Sequence, residues 1–209
     1  SKDDRLSFIE GLSRLRCVPL REQWHQHYDE DIDWFALERF QKGLYQFKQA
    51  RGLHDFTDML DLCVQKQLAP KLDVMFVDEA QDLSPLQWKL VELLANNSER
   101  VYIAGDDDQA IFRWAGADVD HLVALSVGNA RVLDQSYRIP RSVHRIADKV
   151  IRRVKTRTDK VWNPRQEEGQ VVSEASFEHV DLTVGDWLIL SRSNYLLNEL
   201  DAHCRNLGI

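Results

Sequence analysis

Two short, wholly apolar runs that end in acidic residues constrain this chain most. Val74-Met75-Phe76-Val77 leads into Asp78-Glu79, and Val101-Tyr102-Ile103-Ala104 leads into Gly105-Asp106. Continuous apolar runs of this length are the pattern of strands buried in a parallel sheet. A helix follows the first run. Ser84 offers an N-cap, Pro85 the first helical position and Gln87 the reciprocal capping partner. Leu86, Leu90, Val91 and Leu94 supply its apolar stripe. Arg131-Val132-Leu133 and Trp187-Leu188-Ile189-Leu190 predict a third strand and a late strand. Pro140 opens a helix with Val143, Ile146, Ala147, Val150 and Val154 on one side, and Ser193 caps a last helix carrying Leu197, Leu200 and Cys204. Upstream, Leu37, Phe40, Leu44 and Phe47 step by three and four, as do Leu53, Phe56, Met59, Leu60 and Cys63, so two helices precede Pro70. Strand–helix alternation predicts an α/β chain, a parallel sheet with helices on its faces. Ligands of such sheets sit at the carboxyl ends of the strands.

Composition excludes several classes. With 209 residues, 44% apolar and 29% charged, the chain is long enough for a core and too apolar for disorder or collagen. No run of 18 apolar residues predicts a membrane span, and Ser1-Lys2-Asp3-Asp4-Arg5 does not open a signal peptide. Cys17, Cys63 and Cys204 are too few and scattered for a disulfide framework and fit a reducing cytosol. The net charge of −7 argues mildly against nucleic acid. Its distribution argues the other way. Arg138 to Arg165 holds ten bases against Asp148 and Asp159, a local +8 that leaves −15 for the rest. Such a tract is either a phosphate-contacting face or a solvated helix face with a loop.

The chemistry collects at the two strand ends. Asp78 can hold Mg²⁺, a hard cation that takes oxygen ligands and bridges phosphates. Glu79 can polarise an attacking water. A pair of solvated acids at a strand end is the plainer alternative. After the second run, Gly105 permits a tight turn. Asp106-Asp107-Asp108 would bind Mg²⁺ or lie in solvent, and Gln109 can hydrogen-bond a phosphate or water. Phe112 and Trp114, with Arg113 between them, suit stacking of unpaired bases, although aromatics at this spacing are also common in cores. Arg138, at the mouth of the basic helix, can stabilise charge on a transferring phosphoryl group, and Tyr137 can stack on a purine. An ordinary turn is the alternative there.

These segments, in this order, resemble the UvrD/Rep/PcrA-like branch of superfamily 1 helicases. Val77-Asp78-Glu79-Ala80-Gln81-Asp82 is similar to motif II, the run from Ile103 to Asp118 to motif III, and Leu133-Asp134-Gln135-Ser136-Tyr137-Arg138 to motif IV. Leu53 to Leu60 resembles the aspartate-phenylalanine helix before motif II, and Leu188 to Asn194 the opening of the second RecA-like domain. The resemblance covers residues 53 to 209 and implies an incomplete RecA-like sheet of the P-loop NTPase type, preceded by a helical part. Its domains would be 1–52, a helical insertion; 53–137, the C-terminal half of the first RecA-like domain; and 138–209, the basic helix and the start of the second.

By position, the resemblance implies that Asp78 holds the Mg²⁺ of bound ATP and Glu79 activates water. Gln109 would sense the γ-phosphate, Arg138 act as arginine finger and Tyr137 lie beside the adenine. Phe112, Arg113 and Trp114 would contact single-stranded DNA. Implied partners are ATP, single-stranded DNA, duplex junctions and replication or repair proteins, with no membrane. The implied setting is cytoplasmic, in a bacterial or phage-encoded protein associated with the nucleoid.

Two departures stand out. Ala115 occupies the position where the family usually has arginine, and none of the nine glycines precedes a Lys-Ser or Lys-Thr pair, so the phosphate-cradling P-loop motif is missing. The expectation is therefore an internal piece of a longer ATP-dependent DNA helicase or translocase. It is weighed against a non-catalytic nucleic-acid-binding or scaffold protein derived from one. A metal-dependent nuclease is weaker, because His25 and His27 are two apart and a helix does not place them on one face.

Overall fold

The computed structural model describes residues 2–27, 32–128, 130–155 and 157–209. They group into two compact units, Ser1–Asp134 with Ile151–Val161, and Gln135–Val150 with Trp162–Ile209. Each is described by itself.

The first unit opens with helices α1 (Lys2–Leu15), α2 (Leu20–Gln26), α3 (Trp34–Arg51) and α4 (Phe56–Gln65). Its first core joins Leu6 and Ile9 of α1, Leu20 of α2, Ile32 just before α3 and Leu37 of α3, with Trp24, Trp34 and Phe40 packed around them. The predicted stripe of α3 is buried only at its start. Leu37 is fully enclosed, whereas Phe47 is exposed and lies under the Arg51 guanidinium, 4.6 Å from the ring centroid. At α4, Asp55 and Asp58 form a reciprocal capping box, each carboxylate accepting from the other's backbone N–H. Arg14 and Lys48 both bind this pair of carboxylates, so one ionic cluster ties α1, α3 and α4 together.

Two strands follow, β1 (Leu72–Val77) and β2 (Ser98–Ile103), parallel and in register from Leu72↔Ser98 to Val77↔Ile103. Helix α5 (Pro85–Ala95) connects them. Its capping box is the predicted one: the Ser84 Oγ accepts from the Gln87 N–H at 3.4 Å, and the Gln87 Oε1 accepts from the Ser84 N–H at 2.8 Å. Leu86, Trp88 and Leu93 are its buried residues, so the helix is enclosed on more than the predicted stripe. Asp118 caps α6 (Val119–Ser126), and Trp88 stacks on His121 at 4.3 Å.

The strands are not buried on both faces as expected. Met75 points into the core, while Phe76 is 77% exposed and stacks on Tyr102 at 5.1 Å on an open face. Helix α5 packs against both strands, and parallel strands are enclosed only where both sides are covered.

The second unit contains α7 (Arg141–Ile151, ending at the unit boundary) and α8 (Asn198–Leu207). The predicted strand at Trp187–Leu190 does not form, nor does the one at Arg131–Leu133 in the first unit. A strand exists through ladder bonds to a neighbour. The described backbone here offers a single parallel bridge, Gln135 to Asn163, and Leu133 is 87% exposed. The final helix begins as a 3₁₀ turn over Asn194–Leu197, and Ser193 makes no side-chain cap. The observed chain is thus mixed and mostly helical, with a small two-stranded parallel sheet.

Candidate nucleotide and nucleic-acid site

The ends of β1 and β2 are locked together beyond the strands themselves. The Ala104 N–H donates to the Val77 carbonyl at 2.7 Å, and the Ala80 N–H donates to the Ala104 carbonyl at 3.0 Å. Asp78 and Glu79 therefore emerge directly beside Gly105 and Asp106. Both acids are exposed. The Asp78 Oδ1 accepts from the Glu79 N–H at 2.9 Å. Glu79 sits at φ +51°, in the left-handed region that side chains rarely adopt, and begins the 3₁₀ turn Ala80–Asp82. Asp82 is pushed above the ordinary aspartate value by burial and then by the neighbouring Glu79 charge.

Gln81 was not singled out by the sequence, yet it joins the two loops. It is 1% exposed. Its Nε2 donates to the Glu79 Oε2 at 2.7 Å, and its Oε1 accepts from the Asp106 N–H at 2.9 Å. The Asp106 Oδ2 in turn accepts from the Gln109 Nε2 at 2.7 Å. Glu79 and Gln109 thus lie at two ends of one hydrogen-bonded chain.

The three aspartates neither lie free in solvent nor leave their carboxylates open for a cation. Arg157 binds Asp108 through two bonds of 2.8 Å. Lys160 binds Asp106 at 2.7 Å and Asp107 more closely, and the Thr158 N–H donates to Asp107. Burial opposes these charges, but the bonds from Gln109 and Lys160 outweigh it and hold Asp106 below its usual range. Lys160 is raised for the complementary reason: burial lowers it, and Asp106 and Asp107 more than compensate. Part of the basic tract therefore neutralises this loop. Elsewhere in the tract, Arg145 pairs with Glu168 and Arg165 with Glu167.

Phe112 and Trp114 are not core residues. Trp114 is 60% exposed, and its ring stacks on Phe8 with the centroids 6.1 Å apart. Arg113 is held by Asp120 through bonds of 3.0 and 2.9 Å, and its carbonyl accepts from Arg16 at 3.0 Å. In the second unit, Tyr137 and Arg138 are exposed, and the Ser136 Oγ accepts from the Arg138 and Ile139 N–H groups at 3.3 and 3.1 Å.

Residues 8–127 match the UvrD/REP helicase N-terminal domain family, which is more than half of the chain. The chain belongs to that family. Within the UvrD/REP group, 102 residues are 35% identical to the ATP-dependent DNA helicase PcrA of Bacillus subtilis strain 168, covering 46% of this chain and 14% of that protein. A stretch of 169 residues is 33% identical to the ATP-dependent DNA helicase PcrA of Staphylococcus epidermidis, covering 74% of this chain and 23% of the relative. The matched part of this UvrD/REP chain thus spans at most about a quarter of these two proteins. No helix among the described residues is long and apolar enough to cross a membrane.

Proposed function

We propose that this chain forms part of an ATP-dependent DNA helicase or translocase, one that couples ATP hydrolysis to movement on single-stranded DNA and to duplex unwinding. The carrying observation is the convergence of Asp78-Glu79 and Asp106–Gln109 at the locked carboxyl ends of two parallel strands, where α/β proteins bind ligands. The PcrA relatives support the same reading.

Asp78 would hold the Mg²⁺ ion, because its exposed carboxylate keeps acceptor sites beyond the one used by the Glu79 N–H. Bound Mg²⁺·ATP supplies the phosphoryl group and offsets negative charge there. Glu79 takes the proton of the attacking water. Gln109 hydrogen-bonds the γ-phosphate side, and Arg138 stabilises charge on it as an arginine finger. Tyr137 lies against the adenine. Phe112 and Trp114 stack successive bases, and Arg113 contacts the strand. The domain reading is a helical insertion over 1–52, part of a first RecA-like domain over 53–137 and the opening of a second over 138–209. A cytoplasmic, nucleoid-associated setting and replication or repair partners accord with this function.

The test is DNA-stimulated ATP hydrolysis by the intact protein carrying Glu79→Gln. Turnover should fall by at least ~100-fold, the usual contribution of a general base, with ATP binding retained. Turnover unchanged by the substitution would remove Glu79 as the general base, and an intact protein that hydrolyses no ATP at all would favour the alternative, a non-catalytic nucleic-acid-binding or scaffold protein.

A further inference from the structure

We propose that Gln81 is a positioning residue that aims the Glu79 carboxylate and ties it to the loop carrying Gln109. This rests on the reading of Glu79 as general base.

Three observations carry it. First, Gln81 is a polar side chain with 1% exposure, placed where an apolar residue would be expected unless its amide were used. Second, both ends of that amide are used, and by different loops. The Nε2 donor reaches Glu79 at 2.7 Å, and the Oε1 acceptor takes the Asp106 N–H at 2.9 Å. An amide can serve this way because it carries a donor and an acceptor on one rigid plane. Third, the surrounding backbone leaves room for this arrangement. A Cβ on Gly105 would stand 2.9 Å from the Gln81 Oε1 and 3.2 Å from the Ala80 nitrogen. Glycine at 105 lets the second loop close onto the Gln81 oxygen.

The geometry has a chemical consequence. A carboxylate that accepts one fixed hydrogen bond keeps its other oxygen free and oriented for a water proton. The left-handed backbone at Glu79 projects the side chain off the strand end, and Gln81 holds it. Any shift of Asp106 is felt at Gln81, since the Asp106 N–H is bonded to it. The Asp106 carboxylate is bonded to Gln109 at 2.7 Å. Movement of Gln109 on meeting a phosphate is thereby transmitted through Asp106 and Gln81 to Glu79, over contiguous hydrogen bonds rather than over a distance.

The experiment is steady-state ATP hydrolysis by the intact protein bearing Gln81→Met, Gln81→Glu or Glu79→Gln. Gln81→Met preserves length and removes both bonds. Its kcat should fall ~10-fold or more, below the full contribution of a general base, with KM for ATP changed less than about twofold. Gln81→Glu keeps the acceptor for Asp106 but repels Glu79 while ionised. Its kcat should be low near pH 8 and recover toward pH 6, where the new carboxyl gains a proton and can donate to Glu79. A purely structural role gives no such recovery. Should Gln81→Met fail to fold, the pH profile of Gln81→Glu still decides. Wild-type kcat in Gln81→Met, or in Gln81→Glu at pH 8, overturns the inference. If Glu79→Gln abolishes turnover in the same series, that failure is confined to Gln81. If Glu79→Gln hydrolyses ATP normally, the reading of the site fails and the inference falls with it.

Discussion

Arg157 and Asp108 meet side by side, the guanidinium Nε and Nη2 each 2.8 Å from one carboxylate oxygen. Both side chains are largely shielded, at 15% and 11% exposure, and 49 residues of chain separate them. A two-point ionic contact of this kind is geometrically specific. Arg157→Met should destabilise the first unit by about 2 kcal/mol, mainly because Asp108, while still enclosed, is left with the 3.5 Å ion pair to Lys160. In a double-mutant cycle with Asp108→Leu, the second change should cost less in the Arg157→Met background than in the wild type. Urea unfolding measures both, and additive effects would rule out the coupling.

Gly105 faces a different constraint. An added Cβ would stand 2.9 Å from both the Gln81 Oε1 and a Leu122 methyl. Leu122 has some freedom, but Gln81 is fixed at both ends. Gly105→Ala should therefore cost about 1–3 kcal/mol, as overpacking does, and lower the thermal midpoint. A midpoint equal to wild type would contradict the crowding.

Acid should weaken the contact between α1, α3 and α4. Burial alone would raise Asp55, but the bonds from Arg14 and Lys48 outweigh it and hold the carboxyl well below the ordinary range. Asp58 is lowered in the same way, chiefly by Lys48. Folded-state values below the unfolded ones give stability that is complete above about pH 4 and lost as pH falls through the lowered values. Glu10 has the opposite sign. Burial raises it against Arg14 and Lys48, so its contribution is present at low pH and lost as pH rises through the raised value. Asp55→Asn keeps an N-cap acceptor and removes the charge. Its unfolding free energy should vary less between pH 5 and pH 2.5 than that of the wild type, by urea titration at each pH.

Trp114 contributes little to the core and is 60% exposed, with its ring stacked on Phe8. Trp114→Ala should change stability by less than about 1 kcal/mol while weakening single-stranded DNA binding by about 1–3 kcal/mol, the usual value of one base stacked on an aromatic ring. Fluorescence anisotropy of a labelled oligonucleotide against the intact protein reads the second effect. Binding equal to wild type would remove Trp114 from the interface.

The Ser84 cap gives a local check. Its Oγ and the Gln87 side chain satisfy each other's backbone N–H groups at the start of α5. Ser84→Ala should cost about 1 kcal/mol, read as a lower unfolding midpoint, and Ser84→Asp should restore most of it.

The elements near the site were legible because their signals are short. A capping box spans four residues, an apolar strand run four, and a helical stripe repeats within a turn. Ser84 to Gln87, β1, β2, α3, α4 and the Pro140 helix were all readable in this way, although the last ends at Ile151 and leaves Val154 outside it. The strands expected at Arg131–Leu133 and Trp187–Leu190 do not form, because an apolar run reports only a tendency and pairing needs a neighbour. The Phe76–Tyr102 face is open, against the expectation of burial, for a related reason. A continuous apolar run does not say whether layers cover both of its faces.

The candidate site divides along the same line. The order of residues by itself determined which groups stand at the strand ends: Asp78 and Glu79 after one run, Asp106 to Gln109 after the other. The matches to family motifs rest on that order alone. Only the tertiary structure decided what each group bonds to. Gln81 crosses 25 residues to Asp106, and Lys160 crosses 54 to the same residue. The basic tract could have been a phosphate face throughout. In the fold, Arg157 and Lys160 answer the aspartate run. Charge is a property of composition, but neutralisation depends on which segments the chain brings within about 3 Å of each other, and that is set by packing over separations that no local spacing records.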